Sequence, residues 1–205
     1  MEFQRGYRMR FTTIGYIEWR KGQDILVDAL EGIRTEILEA NEFLLIGQDS
    51  SVMAQKLHER MQGKPWIRMT GVVSRQEIHQ ILEAADVLIC PSREDPMPTV
   101  CAEAMMHHVP CLVSDAVGTA AYLTDGMDGV IFKSGDIDGL REKILWCINN
   151  QDTIKKMGNE AYKVYENVFS VKAFEKNLLA YVDEMAGAAG ETADYRGGAL
   201  GVPVR

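Results

Sequence analysis

The sequence predicts an α/β fold built on a doubly wound parallel sheet, and two observations predict it. Short apolar runs alternate along the chain with amphipathic segments of helical period. Most of those runs end at a glycine or enter a loop rich in Gly, Pro and Asp. Strands separated by single helices pair in parallel through right-handed crossovers. A chain of 205 residues, 46% of them hydrophobic and 25% charged, has enough apolar material for one such domain with a substantial core.

The first strand is expected at Arg10–Ile14 and is closed by Gly15. A loop follows to Gly22, then a single helix over 24–38, whose stripe is Ile25, Leu26, Ala29, Leu30, Ile33 and Ile37. Glu42–Ile46 is an apolar strand ended by Gly47, and Val52–Met61 is helical. Residues 66–70 form the next strand, ended by Gly71. Ser74 and Glu77 have capping-box spacing and open a helix that reaches Ala84. Strands follow at Val87–Cys90, Cys111–Ser114 and Gly129–Phe132, and a helix at Thr99–Met106. Helices are expected at 138–149, 154–166 and 171–185. The alternation makes 10–186 one domain, and 187–205, with five glycines and no apolar period, a disordered tail.

Charge and composition exclude several functions. A net charge of −8 disfavours nucleic acid and anionic lipid, so any phosphate ligand must be held by local features. No run of about 18 apolar residues occurs, so no membrane span is expected. No basic-then-apolar leader opens the chain, which predicts a cytoplasmic protein. Cys90, Cys101, Cys111 and Cys147 form no CxxC pair, which predicts free thiols in a reducing compartment and no metal site. His107 and His108 fall at a helix end, where a cation is favourable without any catalytic role.

The most informative segment is 91–106. It leaves a buried strand, passes Glu94 and Asp95, and enters a helix carrying Glu103. In open α/β sheets ligands bind at strand carboxyl ends. Pro98 suits the first turn of the helix, and the free N–H groups of Thr99 and Val100 follow it. A helix start attracts phosphate, and carboxylates grip hydroxyls; together they suit a sugar on a nucleoside diphosphate. The loop 15–22, holding Arg20 and Lys21, lies at another strand end.

These residues resemble the donor-site signature of the group 1 family of GT-B-fold retaining glycosyltransferases: an acid, seven residues, then Glu-Ala-Met. The gapless register runs from Asp95 to Glu103, while Glu94 is the family's residue type one position early, so either acid fits. Arg20-Lys21-Gly22 resembles the family's Arg-Lys-Gly, although Tyr16 stands where many members have Arg. The resemblance implies a Rossmann-like domain forming the nucleotide-sugar-binding half of a GT-B fold. It implies Lys21 on the donor diphosphate beside Arg20, Glu94 or Asp95 on the sugar, and Glu103 on the ribose. It places the nucleobase against Val72 and Val73, and the phosphates near Pro98, Thr99 and Val100.

The activity so implied is transfer of a hexose from a nucleotide sugar to a hydroxyl with retention, in polysaccharide or glycoconjugate biosynthesis, with no metal and no cofactor besides the donor. The acceptor, a glycan or glycolipid, would bind an N-terminal domain. Only nine residues precede Arg10, so the chain is expected to be a fragment or one half of a split enzyme, inactive by itself. Two other readings are a nucleotide-sugar-binding module without turnover and a GT-B-fold nucleotide-sugar epimerase. A dehydrogenase fits poorly, since no GxGxxG opens the first helix.

Overall fold

The computed structural model describes residues 8–191. They fall into two compact units, one ending at Tyr165 and the other beginning at Glu166. The first unit holds six strands: β1 (Arg10–Ile14), β2 (Glu42–Ile46), β3 (Ile67–Met69), β4 (Val87–Cys90), β5 (Cys111–Ser114) and β6 (Gly129–Phe132). Its helices are α1 (Gln23–Glu31), α2 (Thr35–Glu39), α3 (Val52–Met61), α4 (Arg75–Glu83), α5 (Thr99–Met106), α6 (Ile137–Asn149) and α7 (Gln151–Val164).

All strands pair in parallel, in the order β3-β2-β1-β4-β5-β6. The order reverses between β1 and β4. Loops leaving those two strands must diverge, which opens a crevice at their carboxyl ends. The reversal also puts helices on both faces: α1 touches α3 and α6, while α5 touches α4 and α7. β4 and β5 are buried along their whole length, as central parallel strands must be. Phe11 and Phe43 sit opposite each other in the β1–β2 register and stack at 4.8 Å, with Trp66 edge-on to Phe43 at 6.2 Å. Burying each phenyl ring stabilises the fold by about 1.5–3 kcal/mol.

Local chemistry sets the helix ends. Ser74 accepts from the N–H of Glu77 at 3.2 Å, and the Glu77 carboxylate accepts from the N–H of Ser74 at 2.8 Å, the expected capping box. Ser51 and Asp136 cap α3 and α6 one way only, each side chain accepting from the N–H three residues on, at Ala54 and Gly139. The single helix expected over 24–38 is two helices. Gly32 closes α1, and Arg34 (ψ 135°) leaves the helical region. The Arg141 guanidinium from α6 fills the space beside Gly32, where a Cβ would lie 2.2 Å from Nε, and donates to the Ala29 carbonyl at 3.1 Å. An incoming donor thus takes over the end of α1. Other boundaries in this unit move by at most three residues; α7, for example, begins at Gln151 rather than 154.

The second unit contains α8 (Val171–Glu191). Helix therefore continues through 187–191, which the sequence assigns to the tail; the rest of that tail, 192–205, lies outside the described residues. No helix among the described residues is long and apolar enough to cross a membrane.

Candidate functional site

A cavity of about 430 Å³ opens at the carboxyl ends of β1 and β4, at the switch point. Its volume lies within the usual range for small-molecule sites. The loop after β1 supplies Gly15 and Lys21, and α1 supplies Gln23. The loop after β4 supplies Ser92, Asp95 and Pro98, and α5 supplies Thr99, Val100 and Glu103. Ile78 of α4 adds an apolar wall.

Lys21 sits in a single 3₁₀ turn, Trp19–Lys21, that Gly22 ends in the left-handed region (φ 71°). The chain then enters α1 directly, so the lysine and a helix N-terminus are presented together. Gly22 is required for more than its φ. A Cβ there would lie 2.0 Å from the Pro91 carbonyl oxygen, so main chain packs on main chain between the two loops. Lys21 Nζ donates to Asp95 Oδ2 at 2.5 Å. The aspartate side chain is 7% exposed and the lysine 19%, so the pair is poorly screened by solvent.

The backbone decides which acid enters the cavity. The Asp95 N–H donates to the Ala116 carbonyl at 3.3 Å, and its own carbonyl accepts from Gly118 at 2.8 Å. This isolated parallel bridge ties Asp95 to the turn after β5. Asp95 faces Lys21, and Glu94, in the bend just before it, is exposed and absent from the lining.

Helix α5 places the remaining groups. Pro98 is its N-cap (φ −69°, ψ 116°), one position before the first-turn site expected from sequence, and its carbonyl accepts from Cys101. Thr99 and Val100 are the first two helical residues, so their N–H groups precede the helix's own ladder. Glu103 lies four residues after Thr99, hence on the same face. The positive ends of two helices, α1 and α5, thus border one cavity with one lysine and two carboxylates.

Lys21, Asp95, Pro98, Thr99, Val100 and Glu103 are brought together; Glu94, Arg20, Val72 and Val73 are not. Arg20 turns its guanidinium to Glu18 at 3.1 Å, and its carbonyl serves the N–H of Arg93. Val72, after β3 at the far edge of the order, is 75% exposed. Two residues that sequence reasoning missed belong here. Gln23 is buried and donates to the Tyr16 carbonyl at 2.8 Å, while its Oε1 has no partner among the described residues. Arg93 ties the two loops together behind the cavity. Neither has a sequence signal, since one lies in a helix start and the other partners residues 69 and 74 positions away.

All four thiols are free and buried. Hydrogen bonding to Cys101 and burial hold the Cys90 thiol well above its ordinary pKa, and burial pushes Cys147 up to about 12. His107 makes a 2.9 Å contact with His79 that joins α5 to α4, away from the cavity. Among the described residues no cluster of three or more His, Cys, Asp or Glu is placed to hold a metal ion.

Comparison with known proteins places this geometry in a family. Residues 7–164 match the family model described as glycosyl transferases group 1. An uncharacterized glycosyltransferase of Methanocaldococcus jannaschii is 27% identical over 163 residues, covering 77% of this chain and 43% of that protein. A UDP-Gal:α-D-GlcNAc-diphosphoundecaprenol α-1,3-galactosyltransferase of Escherichia coli is 23% identical over 84% of this chain and 45% of its own length. The chain thus spans somewhat under half the length of these relatives. Among solved structures, Anabaena HepE in complex with UDP and glucose superposes with a TM-score of 0.75 at 19% identity, covering 88% of this chain and 49% of that one. The catalytic domain of the cholesterol-α-glucosyltransferase of Helicobacter pylori superposes with a TM-score of 0.67 at 20% identity, covering 78% of this chain and 98% of that domain. These likenesses establish the fold, Rossmann-like and shared with GT-B neighbours, and the family match covers most of the sequence: the chain belongs to the group 1 glycosyl transferases.

Proposed function

We propose that this domain binds a nucleoside diphosphate sugar and is the donor half of an enzyme that transfers a hexose to a hydroxyl acceptor with retention. The observation that carries the reading is the convergence of Lys21, the N-termini of α1 and α5, Asp95 and Glu103 on one cavity at the switch point. The physical demands of the reaction match those groups. As the glycosidic bond breaks, the diphosphate oxygen that leaves gains negative charge. Lys21 has three donors and uses one on Asp95, so it keeps donors for phosphate. The N–H groups of Thr99 and Val100 add a preorganised dipole, and each such donor is worth ~3 kcal/mol of barrier. Asp95 accepts from sugar hydroxyls, and Glu103 from the ribose, as an acid does in dinucleotide folds.

In this reading cationic and dipolar groups take the place a metal has in other transferases. The acceptor glycan or glycolipid meets the donor from a second domain, the enzyme works in the cytoplasm, and its product is a polysaccharide or glycoconjugate. The HepE complex with UDP and glucose supports a uridine donor as the first to try. Titration calorimetry with UDP, GDP and ADP, with a donor-hydrolysis assay alongside, tests it. Weak binding of one nucleoside diphosphate and no multiple turnover by this chain alone is the expected result. Binding of none of the three would overturn the donor-site reading. Multiple turnover would overturn the division of labour between two domains.

A further inference from the structure

We infer that Arg93 is a positioning residue that sets the Lys21–Asp95 pair for the diphosphate sugar. The inference rests on the donor-site reading above and adds a residue to it. Arg93 lies two positions before Asp95 and does not line the cavity. Its side chain crosses instead to the loop that carries Lys21. One guanidinium nitrogen donates to the Trp19 carbonyl at 2.6 Å and to Asp24 Oδ1 at 2.8 Å; the other donates to Asp24 Oδ2 at 2.8 Å. Its central carbon lies 4.8 Å from the centre of the Trp19 ring. Its backbone N–H donates to the Arg20 carbonyl at 2.8 Å. These contacts bracket Lys21 on both sides in sequence, at Trp19 and Arg20 before it and at Asp24 after it.

The chemistry is specific to arginine. A planar fork can bind both carboxylate oxygens, a carbonyl and a ring face at once; an ammonium cannot satisfy that set. The ends of the bracket are firm. Asp24 is in the first turn of α1, and Trp19 begins the 3₁₀ turn. The Arg93 and Asp24 side chains are 22% and 27% exposed, so the fork is partly withdrawn from water. On the other side Asp95 is fixed to the turn after β5. Arg93 therefore determines how far the loop bearing the cation stands from the loop bearing the acid. A surface ion pair with no such role would be worth little and could be lost without effect on the ligand.

The test uses Arg93→Lys, which keeps the charge and loses the fork, and Arg93→Ala. Affinities for uridine and UDP are measured by calorimetry, or for the GDP or ADP pair if the parent prefers that base. Each variant is made in the parent and in a Lys21→Ala background. Expected for Arg93→Lys is about a tenfold loss for the diphosphate, the equivalent of one charge-assisted hydrogen bond, with the nucleoside within about twofold. The loss should vanish in the Lys21→Ala background. Equal losses for nucleoside and diphosphate, or a loss that persists without Lys21, would overturn the inference. A second readout needs no ligand. In 15N-edited NMR the Lys21 ammonium resonance, held by the Asp95 pair, should disappear in Arg93→Lys; its survival would overturn the inference even if the parent bound no nucleotide.

Discussion

Replacing each of the two adjacent acids, Glu94 and Asp95, by its amide separates them by a measurable margin. Asp95→Asn keeps the shape of the side chain and removes its charge. In the parent that charge accepts from Lys21 at 2.5 Å with the carboxylate 7% exposed. A hydrogen bond to a charged group is worth roughly 1.5–3 kcal/mol and one between neutral groups roughly 0.5–1.5, so the substitution costs about 1–2 kcal/mol of folding stability. For a chain of this size each kcal/mol shifts Tm by about 2–4 °C, which gives a fall of roughly 2–8 °C. Glu94 is exposed, and Glu94→Gln should move Tm by less than about 2 °C. Circular dichroism melts of the three proteins decide the matter. Raising the salt should leave the Asp95→Asn deficit mostly intact, because the pair is largely shielded from the ions. On the ligand side, Asp95→Asn should weaken a UDP-sugar more than it weakens UDP, while Glu94→Gln should spare both. A Glu94→Gln melt as low as that of Asp95→Asn, or an Asp95→Asn melt equal to the parent's, would refute the placement of Asp95 against Lys21 and the role of the backbone bridge.

Other outcomes follow from the same geometry. Glu103→Gln should weaken nucleoside and nucleoside diphosphate alike, by about tenfold, with an unchanged melt; undiminished affinity for both would remove Glu103 from the ribose site. Nucleotide affinity measured with and without EDTA should agree, since the charge on the phosphates is met by Lys21 and two helix ends; a strict need for magnesium would contradict this. In the native protein a thiol reagent such as DTNB should label none of Cys90, Cys101, Cys111 or Cys147, all of which are buried, and should label all four in guanidinium. Fast native labelling of Cys90 would mean that the floor of the cavity opens.

The elements of the fold were legible where one chemical signal dominated. β4 is uniformly apolar between Asp86 and Pro91, and β5 is apolar from Pro110 up to its last residue, Ser114, so their ends are where the pattern stops. The capping box at Ser74 fixed a helix start to the residue. The break between α1 and α2 was not legible, because the apolar stripe continues across Gly32 and the helix is ended by an arginine more than a hundred positions away. The site divides in the same way. Lys21, Asp95 and Glu103 sit on motif positions that follow strand ends. Choosing Asp95 over Glu94 needed a bridge to residue 117, and finding Arg93 needed its contacts with Trp19 and Asp24, which no local pattern encodes. Val72 and Val73, which the resemblance sets against the nucleobase, follow β3 at the edge of the sheet and lie outside the cavity.

The close approach at Gly22 has a counterpart at Gly118, where a Cβ would lie 1.6 Å from the Pro96 carbonyl oxygen. The loops after β1, β4 and β5 thus meet backbone to backbone at these two glycines, where no side chain lies between them to absorb a change of shape. For an engineer who wishes to reshape this cavity, these loops form one graft. A single loop transplanted from a relative would bring a carbonyl path drawn for different neighbours, and the mismatch would fall on glycines that have nothing to trim. The three segments, moved together with Gly22 and Gly118, are the smallest cassette that carries its own fit.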